Sequence, residues 1–222
     1  MPDLFDALPV AEAGPAAEAR RAPLGPGAVL LRGFCLDVET DLLAALRRVI
    51  DAAPFRHMVT PGGYAMSVAM TNCGTAGWVT DRSGYRYATK DPDSGRPWPA
   101  IPAVLSGLAT RAAAEAGFAG FTADSCLINR YAPGAKLSLH QDKNERDFAA
   151  PIVSVSLGLP ATFLFGGLKR PDPQQRIPLT HGDVVVWGGP ARFAYHGVAK
   201  LKGGEHPALG RQRFNLTFRK AL

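Results

Sequence analysis

The stretch RFNLTFR, Arg213–Arg219, alternates without a break. On a strand, Phe214, Leu216 and Phe218 share one face, and Arg213, Asn215, Thr217 and Arg219 share the other. A strand patterned this way ordinarily turns its apolar face to a core and its polar face to water. Toward the N-terminus, further short segments rich in Val, Ile, Leu and Phe precede it: CLINRY (126–131), IVSVSLG (152–158), TFLFG (162–166) and DVVVWG (183–188). Gly and Pro turn signals separate them. Two helices come before this β-region. In the first, Asp37 is placed to cap a run with Leu42, Leu43, Leu46, Val49 and Ile50 at helical spacing, closed by Pro54. The second runs from Pro102 to near Gly117, with Val104, Leu105 and Leu108 on its apolar face. Helices followed by a long antiparallel region, about 125–220, predict an α+β domain built on a β-sandwich or jelly roll. Residues 1–27, including EAGPAAEARRAPLGPG, show no sustained period and read as a mobile arm ahead of a single domain over 28–222.

Bulk properties exclude several classes. A chain of 222 residues with 46% hydrophobic and 20% charged residues is globular, neither disordered nor fibrous. No apolar run approaches membrane-spanning length, and MPDLFDALPV lacks the basic start and apolar stretch of a signal peptide, so the expected location is the cytoplasm. Cys35, Cys73 and Cys126 are odd in number, widely spread and without a Cys-x-x-Cys pair. That argues against a disulfide framework or zinc knuckle and for three buried, small apolar side chains. Charge is uneven: residues 1–52 carry five Lys/Arg against eight Asp/Glu, and residues 53–222 carry twenty against eleven. A body this basic suits a polyanionic partner. Nothing in the sequence calls for a membrane or an obligate protein partner.

In LHQDKNE, Leu139–Glu145, an extended backbone would aim His140 and Asp142 the same way and Gln141 the other. A His-x-Asp pair alone is weak, arising by chance in roughly one such chain in three. His196 in FAYHGV lies in a second β-like segment, where it would face the pair across a jelly roll. His181 reads as a turn residue, and His57 and His206 fall outside the β-segments. Two histidines and one carboxylate with open positions make the facial triad of non-haem Fe(II) oxygenases. The competing reading is an ordinary half-buried His196. Asn129 and Tyr131 share one face of CLINRY, and with Arg213, Asn215 and Arg219 they could line one pocket. Arginine holds carboxylates through paired charge-assisted hydrogen bonds, so such a pocket beside iron would suit 2-oxoglutarate.

Five stretches together resemble the AlkB family of Fe(II)/2-oxoglutarate-dependent, DNA-dealkylating dioxygenases: MVTPGGYAMSVAMTNCG, LINRYAPGAKLSLHQDKNE, APIVSVSLGLPATFLFGG, HGDVVVWGG and RFNLTFR. The likeness runs from about Phe55 to Arg219, with residues 1–54 matching only loosely. It implies a double-stranded β-helix, iron held by His140, Asp142 and His196, and 2-oxoglutarate held by Asn129, Tyr131, Arg213, Asn215 and Arg219. It further implies O2 as co-substrate and a nucleotide-recognition lid at about 55–98 carrying Trp78, Tyr85 and Tyr87, with Asn144 and Arg170 near the target base. The implied activity is oxidative demethylation of 1-methyladenine and 3-methylcytosine in single-stranded DNA, with RNA left open. In the family pattern an aspartate stands at the position of Asn144.

The lid residues agree when read by themselves. Between Thr60 and Trp98, glycines alternate with Trp78, Tyr85 and Tyr87 and with Arg82, Arg86 and Lys90. Aromatic faces can stack on bases while basic groups meet phosphates; a satellite hydrophobic cluster is the competing reading. Lys136 and Lys143, flanking the His140 segment, could add phosphate contacts or be solvated. Three other functions use some of the same features: an oxygenase acting on a protein or small molecule, a zinc hydrolase, and a non-catalytic single-strand binder.

Overall fold

A computed structural model describes residues 20–222. In chain order its strands are β1 (Arg21–Gly25), β2 (Ala28–Leu31), β3 (Arg56–Val59), β4 (Ala65–Gly74), β5 (Gly77–Asp81), β6 (Gly84–Ala88) and β7 (Ser125–Tyr131). There follow β8 (Leu137–His140), β9 (Ile152–Gly158), β10 (Ala161–Phe165), β11 (Gln175–Leu179), β12 (Val184–Trp187), β13 (His196–Val198) and β14 (Arg213–Arg219). The helices are α1 (Glu39–Ala52) and α2 (Ala103–Glu115). An eight-stranded sheet has the order β1-β2-β12-β9-β14-β7-β4-β3, and a four-stranded sheet the order β11-β10-β13-β8. Together they form the jelly-roll core expected from the sequence.

β9 and β14 lie mid-sheet, and every residue of both is buried. On one face, Phe214, Leu216 and Phe218 join Val153 and Val155 against Leu42, Leu46 and Val49 of α1 and Leu105 and Leu108 of α2. A second apolar cluster, with Phe163, Phe165, Trp187, Val198 and Leu127, fills the space between the sheets. The polar face of β14 therefore turns not to water but into this inter-sheet space. Two covered faces explain why the sheet's central strands are so rich in Val, Ile and Leu. Cys35, Cys73 and Cys126 are buried and free, as anticipated.

Four sequence expectations need correction. Of the mobile arm expected over residues 1–27, residues 1–19 lie outside the described residues, and Arg21–Gly25 is a strand paired with β2, because its partner offers open hydrogen-bonding groups at the sheet edge. Asp37 does not cap α1; a short 3-10 helix, Leu36–Val38, leads in, Val38 occupies the cap without a side-chain bond, and Asp37 instead meets Arg111 of α2 at 2.7 and 3.2 Å. The strand carrying His140 stops at that residue, so Asp142 stands in the following loop rather than on the same strand face. The span read as a lid is also divided. β3 and β4 belong to the large sheet, and only the β5–β6 hairpin stands apart as its own two-stranded ribbon.

That hairpin is fastened at its base. The Asn72 amide donates to the Trp78 carbonyl and its oxygen accepts from the Trp78 N–H, both at 3.0 Å, while the Trp98 indole donates to the Ala88 carbonyl at 2.9 Å. Gly77 sits in the angle, where a Cβ would lie 2.5 Å from the Trp98 ring and 2.7 Å from Asn72 Cβ. Gly77→Ala is expected to cost about 1–3 kcal/mol through overpacking. A urea midpoint equal to that of the unaltered protein would contradict this account of the hairpin base.

Candidate metal centre and carboxylate pocket

β13 pairs antiparallel with β8 so that His196 lies opposite His140. The two rings stand 4.3 Å apart between centroids. The loop after β8 brings Asp142 to both: Oδ1 lies 3.8 Å from His140 Nε2 and Oδ2 3.7 Å from His196 Nε2. One ligand atom from each of the three falls within 4.8 Å of the others, a spacing that fits one ion. The second ring nitrogens are already used. His140 Nδ1 lies 2.8 Å from the Ser138 carbonyl and His196 Nδ1 lies 3.0 Å from the Ala194 carbonyl. A carbonyl can only accept, so each Nδ1 carries the proton and each Nε2 lone pair is free for a metal.

Electrostatics keep the site in ligand form. Burial, reinforced by the nearby His140, brings the His196 pKa down to about 4, against the opposing pull of Asp142. His196 is thus neutral at pH 7. Burial works to raise the Asp142 pKa, but the Arg219 guanidinium, with His196 and His140, outweighs it and holds the carboxyl well below the usual range. Arg219 donates from Nε and Nη2 to Oδ2 at 2.9 and 2.6 Å, leaving Oδ1 for a cation.

The 2-oxoglutarate candidates lie on adjacent central strands. Tyr131 is opposite Arg213, and Asn129 opposite Asn215, across β7 and β14. All four are buried. Asn215 is occupied within the protein: its amide donates to Ser154 Oγ and the Val155 carbonyl at 2.8 and 3.0 Å, and its oxygen accepts from Thr217 at 3.0 Å. Arg213 is different. Its Nη2 donates to Ser156 at 3.0 Å, yet its Nε and Nη1, and the Tyr131 hydroxyl packed under it, find no partner among the described groups. Burial draws the Arg213 pKa below the ordinary guanidinium value. A buried cation with unused donors beside an unused hydroxyl has the donor set of a carboxylate receptor. The residues present fit both iron and a dicarboxylate.

The lid candidates divide. Trp78 and Tyr85 stack at 5.7 Å, and the Trp78 indole donates to Asn144 Oδ1 at 3.3 Å, tying the hairpin to the metal loop. Tyr87 leaves that stack and points its hydroxyl inward to Glu145 at 2.6 Å. Arg86 is committed to Asp81 at 3.0 and 2.6 Å, whereas Arg82 and Lys90 remain exposed. Arg170 reaches back to the Leu139 carbonyl at 2.8 Å, beside the strand that carries His140.

Sequence reasoning passed over two residues that organise the site. Glu145 is buried among Tyr87, Arg192 at 3.1 Å and Arg219 at 3.4 Å. Arg192, also buried, donates to the Asp142 carbonyl at 2.8 Å and the Ala150 carbonyl at 3.2 Å, spanning the metal loop. Glu145 lies within LHQDKNE, three residues after Asp142, but nothing local marks it as buried. The partner of Arg192 is 47 residues away, beyond the reach of any spacing rule.

Comparison with known proteins follows the same lines. Residues 27–219 match the 2OG-Fe(II) oxygenase superfamily. The alpha-ketoglutarate-dependent dioxygenase AlkB of Salmonella typhimurium is 61% identical, over 90% of this chain and 92% of its own. The protein of the same name from Escherichia coli is 59% identical, over 92% and 95%. The solved structure of OsALKBH1 superposes with a TM-score of 0.78 at 30% identity, covering 90% of this chain and 99% of that one. With the metal triad, the jelly roll and near-complete coverage in agreement, this chain belongs to the AlkB family within the 2OG-Fe(II) oxygenase superfamily.

Proposed function

We propose that this chain repairs alkylated nucleic acid by oxidative demethylation, acting on 1-methyladenine and 3-methylcytosine in single-stranded DNA, with RNA as a second substrate. The reading is carried by one observation: a buried arginine with unused donors, Arg213, on the strand face that also bears Arg219, the partner of the metal-site carboxylate. In this reading His140, Asp142 and His196 hold Fe(II), and Asn129, Tyr131, Arg213, Asn215 and Arg219 surround 2-oxoglutarate. Trp78, Tyr85, Tyr87, Asn144 and Arg170 receive the damaged base. When bound, ferrous iron and 2-oxoglutarate supply, with O2, oxidation of the N-methyl carbon to a hydroxymethyl that leaves as formaldehyde, as 2-oxoglutarate becomes succinate and CO2.

The protein's own groups do the positioning. Arg213 and the Tyr131 hydroxyl bind the remote carboxylate of the co-substrate through charge-assisted hydrogen bonds. Arg219 holds Asp142 anionic and fixed, and the two Nδ1–H donors fix the imidazole orientations. Trp78 and Tyr85 offer aromatic surface to a base turned out of its stack, which costs a few kcal/mol and less when damage has already removed its pairing. The exposed Arg82, Lys90, Lys136 and Lys143 supply phosphate contacts. Catalysis belongs to a single domain that includes β1, from Arg21 onward. We assign it to the cytoplasm, where nucleic acid and reduced thiols such as Cys35, Cys73 and Cys126 occur together.

Fe(II), 2-oxoglutarate and a single-stranded oligonucleotide containing 1-methyladenine are expected to yield formaldehyde in air and none under argon. His196→Ala should abolish the release. Demethylation that proceeds equally without air, releasing methanol and no formaldehyde, would instead favour a hydrolase. The amide of Asn144 can accept a hydrogen bond from an exocyclic amine but lacks the negative charge that favours a cationic lesion. Asn144→Asp is therefore expected to raise the rate ratio of 3-methylcytosine over 3-methylthymine; an unchanged ratio removes that role for Asn144.

A further inference from the structure

Next to the metal loop lies an aromatic surface that none of the roles above uses. Phe148 and Phe193 remain 40% and 37% exposed and meet edge to face at 4.9 Å. Buried Arg192 lies 5.4 Å from one ring and 5.7 Å from the other, so their inner sides are covered by its guanidinium and their outer sides are open. Gln141, between two metal-site residues, donates to the Phe193 carbonyl at 2.7 Å and the Leu168 carbonyl at 3.4 Å. It thereby joins the three chain segments into one surface. Leucines would cover Arg192 as well as phenylalanines do; paired rings left open to solvent add a face on which a flat partner can stack.

The surroundings select the partner. Lys143 and Arg146 on the Phe148 segment, and Lys169 and Arg170 beside Leu168, are exposed. The acids in those segments are engaged by backbone amides: Asp147 by Ala149 at 2.9 Å, and Asp172 by Lys169 at 2.9 Å. An aromatic surface with exposed Lys143, Arg146 and Lys169 at its rim has the combination that single-strand binders use, bases on rings and phosphates on Lys and Arg. A second copy fits poorly, since residues 53–222 hold twenty Lys/Arg against eleven Asp/Glu and two such bodies repel. We infer that the Phe148–Phe193 pair is a stacking subsite for an unmodified nucleotide of the strand whose damaged base enters the metal site. This rests on the nucleic-acid reading above. It adds that recognition extends past the lid to the segments that carry Phe148 and Phe193.

The test uses the full chain and fluorescein-labelled, unmodified oligothymidylates, a trinucleotide and a decanucleotide, followed by fluorescence anisotropy. Phe148→Leu/Phe193→Leu keeps apolar cover over Arg192 while removing both rings. It is expected to weaken decanucleotide binding about tenfold, the scale of one lost base–aromatic stack, and to leave the trinucleotide unchanged. Phe193→Trp should bind the decanucleotide at least as tightly as the natural chain. Equal decanucleotide affinity for the double variant overturns the subsite, as does equal weakening for both lengths, which would mean a disturbed loop. A change from dimer to monomer in sedimentation, without a change in decanucleotide affinity, overturns it in favour of a second copy. Formaldehyde release from a methylated trinucleotide keeps the two readings apart. If it persists while the length effect is missing, the subsite alone fails; if no methylated oligonucleotide yields formaldehyde, the proposed function fails.

Discussion

The constraint on which the rest of the structure depends is the burial of β14 on both faces. One face is apolar and presses Phe214, Leu216 and Phe218 onto the helices. The other carries Arg213, Asn215, Thr217 and Arg219 into the space between the sheets, where an unpaired ion costs several kcal/mol. The protein answers that cost unequally along the strand. Arg219 spends Nε and Nη2 on Asp142, with Glu145 close by, and leaves Nη1 without a partner among the described groups, while Asn215 and Thr217 are satisfied by each other and by Ser154. Arg213 keeps two unused donor atoms. One polar strand face thus stabilises the metal loop at one end and holds a buried guanidinium with unpaired donors at the other.

From Arg219 the charge network continues outward. Glu145 accepts from Arg192 and from the Tyr87 hydroxyl, so the lid hairpin, the metal loop and the segment before β13 share one buried carboxylate. Removing one member of such a cluster leaves its partners charged and desolvated, which is why buried pairs resist single substitutions. Trp78 bonded to Asn144 is a second link between hairpin and loop, at the surface. The hairpin and the Asp142 loop are therefore mechanically joined, by groups that include Tyr87, whose part is more that of a tether than of a stacking surface.

Most secondary structure could be read from local pattern, because alternation and turn chemistry are local. β7, β9, β10, β12 and β14 stand within a residue or so of where the apolar segments put them, and α2 within two residues of its expected ends. The misreadings share a cause. Asp37 left its cap for Arg111, a partner 74 residues on, and Arg21–Gly25 became ordered by pairing with β2. β3 and β4 were drawn from a supposed lid into the sheet by β7. Each depended on a distant segment that no short-range pattern reports.

By itself the sequence determined the fold class and the family, and it singled out the three residues that converge as a metal-ligand set and others whose types suit a carboxylate. Those properties reside in residue type, period and motif. Only the tertiary structure decided that the polar face of RFNLTFR is dry, that Arg219 spends Nε and Nη2 on Asp142 while Arg213 keeps both Nε and Nη1 unused, and that Glu145 and Arg192 hold the metal loop. Burial and partner distance are properties of segments brought together across the chain, and alternation along one strand is the same whether its polar face meets water or the interior.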